Sequence, residues 1–374
     1  MKLCFFGSSL VSSYWNGAAT YYRGLLKALA ELGHEITFYE PDAFERQAHR
    51  DMADPDWARV VVYPGTADGW KRALEDAARQ ADVLVKASNI GVFDAELDEA
   101  LSDIRSPALH IYWDVDAPAT LEEMAATPQH HLHRVIPRYD LVLTYGGGRP
   151  VIDGYRAVGA RDCIPIYNAL DPHTHFPVQP SKTFAADLGF LGNRMPDREA
   201  RVDTFFLETA TLLPDKAFVI AGSGWGDKAM PPNVRRIGHL GTGLHNTFFC
   251  STLATLNINR ASMARYGYSP PTRIFEAAGA GACLITDRWA GIEDFLEPDR
   301  EVLVAASAAE VARHVADLTP ARAEQLATRA RHRILADHTY AHRARDVDRL
   351  LNGRLGKRET IGTTGKFGKI EAAE

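Results

Sequence analysis

Short apolar runs of strand length alternate with longer segments of helical spacing from the first residues onward. This is the pattern of a parallel sheet covered on both faces. Residues 2–6 form one such run and stop at Gly7; residues 21–32 follow, with Leu25, Leu26, Leu29 and Leu32 at helical intervals before Gly33. Further strands are expected at 36–39, 60–63, 82–85, 109–113 and 141–144, with a helix over 121–138 between the last two. Pro172, Pro177 and Pro180 interrupt any regular element over residues 171–182. Beyond them the alternation resumes: strand 188–191, helix 198–211, strand 217–221, a glycine-rich loop 222–226, strand 255–258 and strand 283–286.

A chain of 374 residues exceeds what one hydrophobic core usually supports, so two α/β domains are expected. The boundaries read as 1–175 and 183–335, then a terminal helix over 336–352 and a flexible tail over 353–374. The net charge of −6 supplies no basic field for nucleic acid or anionic lipid. Cys4, Cys163, Cys250 and Cys283 have no paired spacing, which suits buried thiols in a reducing, cytoplasmic setting. The N-terminal apolar run is too short for a signal peptide, and no apolar stretch is long enough to span a membrane.

The densest signal is the run Tyr268-Ser-Pro-Pro-Thr-Arg273-Ile-Phe-Glu276-Ala-Ala-Gly279-Ala-Gly281, followed by the apolar strand from Cys283 to Thr286. A Pro- and Gly-rich loop thus leads into a short helix carrying one acid, the kind of place where an α/β sheet holds polar ligands. This stretch resembles the C-terminal domain of the group 1 glycosyltransferases and their CgeB-like branch, enzymes with two Rossmann-like domains facing across a cleft (the GT-B fold). In the first domain the step Gly33-His34 resembles the same family's turn into its second strand, a structural role. The resemblance implies that Glu276 grips the ribose of a nucleotide diphosphate sugar, with a UDP-sugar the leading donor. Many retaining members carry a second glutamate eight residues earlier, where this chain has Tyr268.

Other candidates surround that motif. Gly192, Asn193, Arg194 and Arg198 follow the first strand of the second half, where glycine admits a diphosphate to backbone N–H groups and arginine supplies counter-charge. Trp225, within Gly222-Ser-Gly-Trp-Gly226, would either wall the nucleotide base or pack in the core. Asn257, Asn259 and Arg260 end the strand that leads to the donor motif, and Arg273 lies inside it. In the first half, Asp114 and Asp116 follow an apolar strand two residues apart and would face one way. They are the candidate base or acceptor-binding pair, with capping of the next helix as the structural alternative. Gly7, Gly146 and Gly147 are candidate cleft loops. His130, His131 and His133 read as a polar helix face.

The expected activity is therefore glycosyl transfer from a nucleotide diphosphate sugar to an unknown acceptor, retaining and independent of any metal or other cofactor. Two alternatives have other chemistry: a non-catalytic nucleotide-sugar-binding or spore-coat assembly protein, and a nucleotide-sugar epimerase.

Overall fold

The computed structural model describes residues 1–14 and 16–364, with side chains up to Gly356. Seven strands form a first sheet: β1 (Lys2–Phe6), β2 (Glu35–Asp42), β3 (Ala58–Pro64), β4 (Val83–Ala87), β5 (Leu109–Asp114), β6 (Leu141–Thr144) and β7 (Cys163–Pro165). Six form a second: β8 (Ala186–Leu191), β9 (Phe218–Ala221), β10 (Val234–Gly238), β11 (Thr252–Asn257), β12 (Leu284–Asp287) and β13 (Leu303–Ala305). The orders are β3-β2-β1-β4-β5-β6-β7 and β10-β9-β8-β11-β12-β13. Leu3 pairs in parallel with Ile36 on one side and Val83 on the other. Strands β1, β4 and β5 are buried almost throughout, which is why they read as continuous apolar runs and do not alternate.

Each sheet has one place where the chain leaves a strand in one direction and later returns to its other side. In the second sheet that strand is β8, flanked by β9 and β11. Loops diverge at the carboxyl end of such a strand and leave room for a ligand. The loops after β8 and β11 carry Gly192 and Arg260.

The chain packs as two compact units. One comprises Met1–Val115, Arg134–Val142 and the chain from Ala341 on; the other comprises Asp116–His133 and Leu143–Tyr340. Residues 116–133 and 143–175, expected in the first domain, fall in the second unit by contact, while strands β6 and β7 pair within the first sheet. The terminal helix Tyr340–Thr364 continues past Asn352, where a tail was expected. Arg354, Leu355, Lys357, Arg358 and Glu359 are good helix formers and outweigh the two glycines among them. Residues 365–374 of the expected tail lie outside the described residues. In the first unit, His34 Nε2 meets Asp348 Oδ1 of this helix at 2.9 Å.

The expected helix over 121–138 is broken into Ala117–Ala126 and Leu132–Val135. Pro128 disfavours helical backbone at Thr127, and Thr127 is extended. His130 accordingly lies in a turn and accepts from the Leu132 N–H at 3.3 Å, so it shares no helical face with His133. The helix expected over 198–211 forms, with one wide π turn at Asp203–Glu208. Its Phe206 packs edge-on against Phe218, in a core shared with Leu188, Phe190, Leu256 and Ile285. Among the described residues no helix is long and apolar enough to cross a membrane.

Candidate functional site

Strand β8 delivers Gly192 to the switch point of the second sheet, its N–H held by Ala221 O at 2.8 Å. A Cβ on Gly192 would lie 2.7 Å from one Arg273 nitrogen and 3.0 Å from one Arg198 nitrogen. The glycine is therefore what lets two guanidinium groups converge on this backbone. Both also lie over the Phe190 ring, at 5.1 Å for Arg273 and 5.6 Å for Arg198.

Their polar partners are neutral. Arg273 donates to Leu191 O at 2.6 Å and to Asn257 Oδ1 at 2.9 Å. Arg198 donates to Asn193 O, and its Nε is buried with no hydrogen-bond partner. Burial, then the neighbouring Arg273, pushes Arg198 down to about 9. Burial also pushes Arg273 down to about 10, with Glu276 and Asp287 opposing. Two like charges with neutral hydrogen-bond partners, both largely withdrawn from water, are suited to holding an anion.

Beside this pair runs a second polar chain. Asn257 Nδ2 donates to Asn259 Oδ1 at 3.1 Å and to Thr286 Oγ1 at 3.0 Å, both buried contacts. The Asn259 N–H reaches Asp287 at 3.2 Å, and Asp287 pairs with Arg201. Burial pushes the Asp287 carboxyl above its ordinary range, against the pull of Arg201. Asn257 was expected at this strand end with Asn259 and Arg260, whereas Arg201 and Asp287 had not been singled out as site residues. Asp287 also ends a strand, and that position was the available signal.

Glu276 is the fifth residue of the helix Thr272–Gly279, in its second turn. Its carboxylate, 13% exposed, is 3.9 Å from His175 Nε2. His245 lies nearby on the helix His245–Ser251, and one ligating atom from each of these three side chains lies within 4.8 Å of the others. Burial holds His245 below the ordinary imidazole range, with Glu276 opposing. Neither histidine was foreseen. His175 sits in the proline-rich segment that read as a boundary, and no spacing links it to residue 245.

Several expected ligands have other work. Arg194 donates to Glu199 and Asp227, each at 2.8 Å, and the Glu199 and Asp227 bonds hold it above the ordinary arginine range. It belongs to a surface ion-pair group and not to the Arg198–Arg273 pair. Asn193 Oδ1 accepts the Ser223 N–H at 2.8 Å and shapes the loop. Trp225 is 1% exposed and donates its indole N–H to Gly192 O at 2.8 Å, edge-on to Phe190. It packs beneath the Gly192 loop and offers no face to a base.

The two aspartates do not act as a pair. Asp114 is fully buried in the first unit and accepts the Ser88 hydroxyl at 2.8 Å; Ser88 Oγ in turn takes the Val115 N–H at 2.9 Å. Asp116 belongs to the second unit, where it pairs with Arg260, and its side chain does not cap the following helix. Arg260 also holds Asp197 at 2.5 Å. Burial works against its charge, but Asp116 and Asp197 outweigh that and hold it above the ordinary arginine range.

The candidate loops are packing devices. The Gly7 N–H bonds Tyr39 O at 3.1 Å, and its missing Cβ makes room for the Phe38 ring. Gly147 donates to Tyr268 O at 2.6 Å, and a Cβ on Gly146 would lie 3.0 Å from that same oxygen. Tyr268, where a glutamate is common in the resembled family, has φ 47°. Such left-handed backbone in a bulky residue is strained and persists only where the surroundings hold it. Its N–H is fixed by Ala290 O at 2.6 Å.

Two parallel-sheet Rossmann-like domains are the architecture of the GT-B fold. Residues 198–349 match the family described as Glycosyl transferase-like. Solved structures agree on the fold. Sucrose-phosphate synthase from Thermosynechococcus elongatus is similar at TM-score 0.72 and 12% identity, covering 96% of this chain and 100% of that one. HepE from Anabaena, in complex with UDP and glucose, is similar at TM-score 0.63 and 12% identity, covering 94% and 100%. AviGT4, a glycosyltransferase involved in avilamycin A biosynthesis, is similar at TM-score 0.61 and 17% identity, covering 95% and 98%. No curated protein matches the chain in sequence.

Proposed function

We propose that the protein is a glycosyltransferase that takes its sugar from a nucleotide diphosphate donor, a UDP-sugar foremost. The observation that carries this reading is the convergence of Arg198 and Arg273 on Gly192 with neutral hydrogen-bond partners only. A diphosphate supplies the missing negative charge, and Gly192 lets its oxygens approach the backbone. The HepE complex with UDP and glucose supports the choice of uridine. Glu276 would accept the ribose hydroxyls.

As the bond between the anomeric carbon and the diphosphate oxygen breaks, charge grows on the leaving group. Arg198 and Arg273 would stabilise that charge more in the transition state than in the bound donor. Two fixed guanidinium groups supply the role a divalent ion plays elsewhere, so transfer is proposed to need no metal. Resemblance to the family supports retention of anomeric configuration and the CgeB-like branch. Four cysteines without disulfides support a reducing compartment such as the cytoplasm.

Calorimetry with UDP, followed by release of UDP from UDP-sugars in the presence of candidate acceptors, tests the reading. Acceptor-dependent UDP release that persists in EDTA is the expected result. Absence of nucleotide binding would overturn it, and NMR of the product anomer decides the stereochemistry.

A further inference from the structure

His175, His245 and Glu276 come from three separate stretches: the turn after Asp171, the helix His245–Ser251 and the helix Thr272–Gly279. The surrounding hydrogen bonds decide what each offers to the others. Thr174 Oγ1 donates to Asp171 O at 3.1 Å. Its remaining role toward His175 Nδ1, 3.0 Å away, is that of acceptor, so the ring proton sits on Nδ1 and Nε2 carries a lone pair. His245 Nε2 faces Leu240 O at 3.3 Å, which can only accept, so Nδ1 carries the lone pair there.

Those two nitrogens, His175 Nε2 and His245 Nδ1, are both buried without a hydrogen-bond partner. His175 itself is 6% exposed. With the Glu276 carboxylate they make three converging acceptors that bring no proton of their own. Asn246 Nδ2 donates to Thr174 O at 2.9 Å and ties the two histidine-bearing segments together. Buried acceptors grouped in this way call for a ligand that is positive or donates protons.

We propose that His175, His245 and Glu276 form a binding site for a divalent transition-metal ion of the zinc class, and that metal and nucleotide exclude one another there. Two imidazoles and one carboxylate are a ligand set that suits zinc and leaves one position open. Magnesium and calcium prefer all-oxygen surroundings. Thr174 and Leu240 already hold the outer ring nitrogens, the usual way a metal-binding imidazole is oriented. Zinc bonds of about 2.1 Å at tetrahedral angles place ligand atoms about 3.4 Å apart. The spacing of up to 4.8 Å therefore has to close by as much as ~1.4 Å through side-chain rotation. The exclusion rests on the ribose role proposed for Glu276; the metal site does not.

The experiment uses the full chain, stripped with EDTA and free of nucleotide. Zinc chloride is titrated by calorimetry, and cobalt is substituted to read tetrahedral coordination by its visible absorption. The same titration is run on His175→Gln, His245→Gln and Glu276→Gln, each checked by thermal melting in EDTA. One zinc per chain is expected, with affinity at least ~10-fold weaker in each variant. Saturating UDP should weaken the apparent zinc affinity of the parent protein. Absence of stoichiometric binding, or equal binding in all three folded variants, overturns the site. Zinc bound at the triad without competition from UDP overturns the exclusion and also removes Glu276 from the donor site. Normal UDP binding by a protein that takes no zinc overturns this inference and leaves the proposed function standing.

Discussion

Arg198 and Arg273 share one aromatic ring, their guanidinium carbons lying 5.6 and 5.1 Å from the Phe190 centroid, and neither forms an ion pair among the described residues. Replacing Arg273 with Ala is expected to weaken UDP binding ~10- to 100-fold, the scale of a lost charged hydrogen bond. Stability should fall little or even rise, because one of two repelling buried charges is gone. Calorimetry and thermal melting on the same sample check both parts. Unchanged UDP affinity would remove this pair from the donor site.

Gly192→Ala tests the same geometry without removing a charge. The new Cβ would meet the ends of two long side chains, at 2.7 and 3.0 Å, and these can swing away. The fold should survive with a small change in melting temperature. UDP affinity should drop by ~10-fold or more, because a displaced guanidinium forfeits its charged hydrogen bond.

Glu276→Ala should reduce UDP affinity by ~10- to 100-fold, about 1.5–3 kcal/mol, if the carboxylate holds the ribose. 2′-Deoxy-UDP would then bind the parent protein less well but lose little further in the variant. Equal losses for both nucleotides would place Glu276 away from the sugar hydroxyls.

The two aspartates are expected to separate. Asp114→Ala leaves the buried Ser88 hydroxyl without its acceptor and should cost about 1–3 kcal/mol of stability, with near-normal turnover in the folded fraction. Asp116→Asn should lower turnover by ~10²-fold while UDP affinity stays within about threefold, if Asp116 handles the acceptor. Normal turnover in Asp116→Asn would leave Asp116 as a tether for Arg260 alone.

Lys86 is fully buried in the first unit, with its ammonium 2.6 Å from Asp94 and 3.1 Å from Asp98. Burial opposes its charge, but Asp98 and Asp94 outweigh that and hold Lys86 above the ordinary lysine range. Burial also opposes the Asp94 charge, yet Lys86 and the Gly91 and Ile90 N–H groups hold that carboxyl below its ordinary range. The Asp94 contribution is thus fully present above its unfolded value near pH ~4 and is lost as pH falls through its folded value. The Lys86 contribution is fully present below its unfolded value near pH ~10 and is lost as pH rises through its folded value. Lys86→Ala should destabilise by about 3–5 kcal/mol at neutral pH, since it takes the cation from the buried Asp98 and the half-buried Asp94. Denaturant melts carried from pH ~7 to below ~4 should show that cost steady down to pH ~4 and shrinking below it as Asp94 protonates.

The alternating strands and helices were legible in the sequence because burial on both faces leaves continuous apolar runs such as Leu3–Phe6 and Val83–Val85, whatever surrounds them. The motif around Arg273 and Glu276 was legible for a related reason. A loop, a short helix and a strand follow one another directly, so local chemistry records their order.

Pairing across the fold left no such record. Arg194 and Arg198 looked alike on paper. Only tertiary structure gave Arg194 two carboxylates and left Arg198 over Phe190 beside Arg273. Trp225 was as fit for a base as for the core, until the close packing of the β9 loop turned its indole N–H onto Gly192. His175 and His245, 70 residues apart, come together only because the turn after Asp171 meets the start of the helix His245–Ser251, and Asp116 likewise meets Arg260 only in the folded chain. The sequence by itself determined which segments become strands and where glycine must stand. Which charges are paired, and which are left for a ligand, depends on distances between residues far apart in the chain, and only the folded structure sets those distances.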